Sequence, residues 1–209
     1  MPNYSRYVLF FAFICLSVIS PCENQTKSKV SVVDSWCAKL LQGAKKQIGK
    51  TIRYDPSYQR MNYPNGDVPI EYGVCTDVIV RAFRFIGIDL QKLIHEDMKK
   101  NWSTYPKLWG LKGPDKNIDH RRVPNLAKFF THIGMLNKDP NFLPGDLVIW
   151  DLGGGILHVG ILSEKKEAGD YLVVHNISSG VKQENILNAY KVVQKFRINE
   201  TALKNLKII

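Results

Sequence analysis

Two hydrophobic periods divide this chain. From Asp34 or Ser35, either of which can cap a helix, apolar residues recur at helical spacing through Trp36, Cys37, Leu40, Leu41 and Ala44 to about Gln47, and Gly49 supplies a stop. A second amphipathic helix is predicted over Thr76–Ile86, with Val78, Ile79, Ala82, Phe83 and Ile86 on one face and Gly87 ending it. A third runs from about Asp89 to Lys100. Pro124 opens a short fourth that carries Leu126, Phe129, Phe130 and Ile133 and stops at Gly134. Between these helices, Thr51–Tyr72 and Trp102–Arg122 follow neither period and read as ordered loops.

After Gly134 the spacing switches to that of strands. These are Asp146–Trp150, Leu157–Ser163, Tyr171–Asn176 and roughly Lys191–Ile198. Helices followed by an antiparallel meander predict an α+β domain, with N-terminal helices packed on a small antiparallel sheet. There are no internal repeats, and the tail at 199–209 carries no clear pattern.

The N-terminus changes the picture of where the protein works. Arg6 and the uncharged apolar run Tyr7–Ser20, too short for a comfortable membrane span, read as a secretory signal peptide over residues 1–22. Residues 23–33 form a polar linker, and 34–198 a single domain. A lipid anchor on Cys22 is an alternative that Pro21 fits poorly, and a retained membrane anchor is another. The expected protein is exported, periplasmic or secreted, with no stable membrane span after signal removal. Net charge is +10, and +9 without Arg6. A basic exported domain meets anionic surfaces such as cell wall, although a merely soluble basic surface also accounts for the charge. No zinc-finger spacing or arginine-rich tract indicates nucleic acid. The sequence does not say whether a protein inhibitor is a partner.

Four cysteines do not make a disulfide scaffold. Cys15 and Cys22 fall in or beside the signal. Cys37 lies on an apolar helical face and reads as core packing. A Cys37–Cys75 disulfide is the structural alternative for both.

The candidate chemistry lies around Cys75, at the start of the second helix. Amide groups there can stabilise a thiolate, lower its pKa and bind an oxyanion. If Ser163 pairs with Asp170 across the predicted hairpin, His158 directly faces His175, with Cβ atoms about 5 Å apart. One histidine can act as base and the other can orient it. A one-residue slip would put them on opposite faces.

Tyr72-Gly-Val-Cys-Thr-Asp-Val78, Leu143-Pro-Gly-Asp-Leu-Val-Ile-Trp150 and His158-Val-Gly-Ile161 occur in that order. In these strings the chain resembles the NlpC/p60-type, papain-like cysteine peptidases of bacterial cell walls. More closely, it resembles the exported domain-of-unknown-function family 1287 of that clan. The carriers of that likeness are Arg53-Tyr-Asp-Pro56, Gly66-Asp-Val-Pro69, His95-Glu-Asp-Met98, Asn117-Ile-Asp-His-Arg-Arg122 and Val174-His-Asn176. The resemblance covers about residues 34–198. It implies a papain-like fold, Cys75 as nucleophile, His158 as base, His175 as orienting residue, and an upstream tyrosine near the oxyanion, for which Tyr63 is the candidate. The wider family has Ser-Gly after the cysteine where this chain has Thr76-Asp77. Asp77 suits a helix start but opposes a thiolate.

The clusters His95-Glu96-Asp97 and His120-Arg121-Arg122 either line a substrate groove, with arginines binding carboxylates, or form an ion-pair network that pins the loops. No cofactor or metal is expected. Zinc on Cys75, His158 and His175 is a minor alternative. The expected function is hydrolysis of an amide bond through a thioacyl intermediate, and the resemblance implies peptidoglycan stem peptide as substrate. The rival functions are a thiol-dependent amidase or acyltransferase on another substrate, and a non-catalytic wall-binding module. Asn-x-Ser/Thr matches at Asn3, Asn24, Asn101, Asn176 and Asn199 read as chance.

Overall fold

The computed structural model describes residues 32–207. The expected signal peptide, Cys22 and nearly all of the polar linker lie outside the described residues.

Helices α2 (Cys75–Phe85), α3 (Leu90–Asn101) and α4 (Val123–His132) form within two residues of where helical spacing predicts them, whereas α1 (Val32–Lys45) begins earlier, so that Asp34 and Ser35 lie inside it and neither is its cap. The two-residue strands β1 (Arg53–Tyr54) and β2 (Tyr72–Gly73) pair in parallel inside the first long loop. Strands β3 (Leu147–Asp151), β4 (Leu157–Glu167), β5 (Asp170–His175), β6 (Lys182–Glu184) and β7 (Lys191–Phe196) make one sheet, ordered β6-β5-β4-β3-β7. All pairings in this sheet are antiparallel. The domain is α+β.

Side-chain alternation sorts the sheet into two faces. Leu147, Ile149, Val159, Ile161 and Val174 face the helices and join Ile79, Phe83, Leu126 and Phe130 in the main core. Val148, Trp150, Leu162 and Val173 face the other way, where Leu187 covers them. Trp150 is fully buried there, and its indole N–H donates to the Leu187 carbonyl at 3.0 Å. The aperiodic segments are held by buried cations. Arg81 of α2 donates to Asp67, Thr51 and the Val68 and Tyr72 carbonyls, which fixes loop 51–72 on the helix.

Two predictions need correction. The β4–β5 hairpin turns tightly at Ala168 and Gly169, both at positive φ, so β4 is four residues longer than expected. The pairing is Glu167 with Asp170 and Ile161 with Val174, with a bulge between Leu162 and Lys166. The tail is also ordered: α5 (Glu200–Asn205) is capped by the Asn199 side chain, which accepts from the Ala202 amide at 2.9 Å, and it buries Ala202 and Leu203.

Candidate active site

Cys75 is the first residue of α2. The Asp77 carboxylate, two residues on, accepts from the Val74 amide at 2.7 Å and so caps the helix. The β1–β2 ribbon brings the chain to this point and sets Tyr54 beside Gly73. The Gly73 carbonyl accepts from the Asp55 amide at 3.1 Å and from the Asn176 side chain at 2.9 Å. Asn176 immediately follows β5, so it ties the approach to Cys75 to the end of the sheet.

The sheet is open at this end. The Leu162 amide donates to Asp146 of the β3 side at 2.8 Å, so even-numbered amides of β4 turn toward β3 and odd-numbered ones toward β5. The Val159 amide therefore points to the β5 side. The Val159 amide acts on the Cys75 thiol as a hydrogen-bond donor. The amides of Cys75 and Thr76 also face the sulfur. Burial nevertheless dominates: it pushes the thiol up to about 11, Val159 pulls the other way, and Asp77 adds to the rise. The expected lowering of this pKa is not met, because Cys75 is only 5% exposed.

His158 and His175 share the Trp150 face of the sheet. Continuing the observed pairing sets His175 opposite Gly160, not His158. The expected register is off by two, an even slip, so both rings stay on one face. They meet diagonally, with His158 Nε2 and His175 Nδ1 3.0 Å apart and ring planes at 83°. Gly160 makes this possible: a Cβ there would lie 2.5 Å from Val173 Cγ1 and 3.1 Å from His175 Cβ. Burial lowers the pKa of His158 to about 3, helped by His175, and that of His175 to about 4. Both rings are therefore neutral near pH 7. His175 Nε2, Asn176 Oδ1 and Thr76 Oγ1 are buried without a partner. Cys75 packs in the helix-side core while both histidines lie on the Trp150 face, and the three stand near the same ends of β4 and β5; no hydrogen bond joins the sulfur to either ring among the described residues.

A cleft of about 420 Å³ opens over Cys75, and Tyr54, Trp109, Arg121, Arg122 and Ile156 are among its walls. Tyr54 is close enough that charge on Cys75 and Asp77 adds to the effect of burial in raising its pKa to about 12. Tyr63, the expected tyrosine, packs edge-on against His95 with centroids 5.4 Å apart and does not line this cleft. What favours Tyr54 is its place in a parallel ribbon with the residues before Cys75, and strands of two residues leave no pattern in the sequence.

Most of the charged cluster is internal. Asp77 is buried and bound by Arg121 through Nε and Nη2 at 3.0–3.3 Å. Arg121 also donates to the Ser57 and Asp55 carbonyls at 3.0 and 2.9 Å. Asp77 therefore meets a guanidinium and not the cleft, which offsets its opposition to a thiolate. His95 Nδ1 lies 2.9 Å from Asp119 Oδ2 in a buried pair. His120 is 2% exposed, with Nδ1 unpartnered, and burial lowers its pKa to about 4. For His95, His120, Arg121 and Asp77 the ion-pair and packing alternative describes the geometry. Arg121 and Arg122 both line the cleft. Cys37 and Cys75 are both free thiols, so the disulfide alternative is excluded. Among the described residues no group of three or more His, Cys, Asp or Glu side chains is arranged to hold a metal.

Two comparisons bear on this arrangement. The chain is 43% identical over 194 residues to the uncharacterized protein YijF of Escherichia coli (strain K12), covering 90% of this chain and 94% of that protein. The family model described as "Domain of unknown function (DUF1287)" matches residues 41–198, a span that holds every residue of the candidate site. The chain therefore belongs to the DUF1287 family.

Proposed function

We propose that this chain is an exported thiol hydrolase of the NlpC/p60 type, with a papain-like core, that cleaves an amide bond in peptidoglycan stem peptides. The observation that carries the reading is the Cys75 sulfur on the Val159 amide, one residue from His158, whose Nε2 is bonded to His175. In this reading His158 Nδ1, which His175 does not engage, is the atom that takes the thiol proton. In the resting enzyme both partners are neutral, so the thiol is activated as it reacts. The S–H proton passes to His158 Nδ1 while sulfur attacks the carbonyl carbon and the C=O electron pair moves onto oxygen. Amides at the start of α2, with the Tyr54 hydroxyl, hold that oxygen. The C–N bond breaks, His158 returns the proton to the leaving amine, and a thioester remains. Water, deprotonated by His158, attacks the thioester and releases a carboxylic acid and the free thiol.

The N-terminal apolar run supports export, and among the described residues no helix is long and apolar enough to cross a membrane. A second reading is favoured by one observation. A buried thiol held near 11 is a poor free nucleophile, as in a wall-binding module that kept the fold without the activity. Incubating the mature protein with purified peptidoglycan separates the two. New fragments with free amine and carboxyl ends support the hydrolase, and intact peptidoglycan supports the binding module.

A further inference from the structure

Two adjacent arginines open on the Cys75 cleft, and their bonding separates their roles. Every nitrogen of the Arg121 guanidinium is committed, to Asp77 or to the Ser57 and Asp55 carbonyls. The Arg122 side chain makes no ion pair or hydrogen bond among the described residues, and only its carbonyl is engaged, by the Asn125 and Leu126 amides. Its guanidinium lies over the Trp109 ring, 3.8 Å from the centroid, and its Nε is buried without an acceptor. Neither of the two carboxylates whose charge reaches Arg122 bonds to it: Asp115 accepts from Tyr58 and Asn117, and Asp119 holds His95 through Oδ2 while its Oδ1 is buried without a partner.

Stacking covers a face of the guanidinium and leaves its N–H edge free in the ring plane. Trp109 is held over the cleft by a turn in which it has φ 63 and Gly110 φ 66, a left-handed backbone that a bulky residue rarely adopts. Leu108, Ile118, Val123 and Ile156 line the same cleft. Apolar walls weaken solvent screening of a charge and leave an unpaired cation poorly solvated. An acceptor with two parallel oxygens completes such a site.

We propose that Arg122, stacked on Trp109, is the carboxylate anchor of this cleft and selects ligands that carry a free carboxylate. A dianionic phosphate would call for a second free cation, and Arg121 is already neutralised. The inference deepens the hydrolase reading, since it names what the substrate presents beside the scissile amide, and it is tested by binding alone.

The test uses the mature Cys75→Ala protein, which cannot turn over. It is titrated by calorimetry with a γ-D-glutamyl-linked stem tripeptide as the free acid and with its carboxylates amidated. The free acid should bind, and amidation should weaken it about tenfold or more, as the loss of a charge-assisted bidentate pair requires. Arg122→Gln should weaken the free acid by the same factor and leave the amide unchanged, and Arg122→Lys should recover part of the difference. Equal binding of acid and amide, failure of the acid to bind, or tighter binding of inorganic phosphate would each overturn the anchor. The amidated ligand keeps the test valid even if an Arg122 variant fails to fold. A wild-type protein that binds the acid selectively but never cleaves it would refute the hydrolase and leave the anchor standing.

Discussion

His158 Nε2 and His175 Nδ1 lie 3.0 Å apart although the two residues are not cross-strand partners. The contact is diagonal and runs past Gly160. On the proposed hydrolase reading, this contact engages one ring nitrogen of His158 and leaves the other for the sulfur. His158→Ala should lower kcat on peptidoglycan by about 10²–10⁴-fold. His175→Ala should cost less, because water can replace part of an orienting contact. Equal losses would place His175 in direct contact with the reaction.

The diagonal contact depends on the missing side chain at Gly160. Gly160→Ala places a methyl group against Val173 and the His175 Cβ, inside a packed face. The expected cost is about 1–3 kcal/mol in urea unfolding, together with a shift of the His158 ring resonances. An unchanged midpoint and unchanged resonances would mean that the hairpin relaxes freely there.

Asp77 and Arg121 form a pair whose side chains are 4% and 2% exposed. Arg121→Met strands a buried carboxylate, and the predicted loss is about 3–5 kcal/mol. Replacing both, as in Asp77→Leu with Arg121→Met, should recover a large part of that loss. Chemical denaturation of the two single variants and the double variant gives the coupling. Additive losses would show that the pair does not act as a unit.

Acid should unfold this protein through its buried histidines. His120, His158 and His175 have folded pKa values of about 4, 3 and 4, below the ordinary value near 6.5. Between these limits the unfolded chain binds more protons, so stability falls as pH drops below about 6.5 and levels off once the folded groups also titrate. Each histidine contributes a slope of up to about 1.4 kcal/mol per pH unit in that window. Urea midpoints measured from pH 7.5 to pH 4.5 should fall steadily below pH 6.5, and less steeply in His120→Gln. A flat profile would mean that these rings accept protons in the folded state.

The elements with a strong period were legible in the sequence. Val78, Ile79, Ala82 and Phe83 announce α2, and the continuous apolar run Leu147–Trp150 announces β3. The register was not, because the tight Ala168–Gly169 turn and the bulge after Leu162 together moved the pairing by two residues, and neither carries an apolar signature. The histidine pair survived that error only because the slip was even. Tyr54 was missed for a different reason. Its place beside Gly73 comes from a two-residue parallel ribbon inside a loop held by Arg81, an arrangement set by long-range hydrogen bonds and not by local spacing. Likewise, adjacent arginines look alike in sequence, and only the burial of Asp77 separates Arg121 from Arg122.

The central claim is that Cys75 carries out amide hydrolysis, and mass analysis of peptidoglycan tests it most directly. Purified sacculi are incubated with the mature wild-type protein and, separately, with Cys75→Ser of matched melting behaviour. The account predicts stem-peptide fragments with a new amine and a new carboxyl end from the wild type, and none above background from Cys75→Ser, whose hydroxyl is a far weaker nucleophile at this helix start. Fragments released equally by both proteins, or by neither, would contradict it.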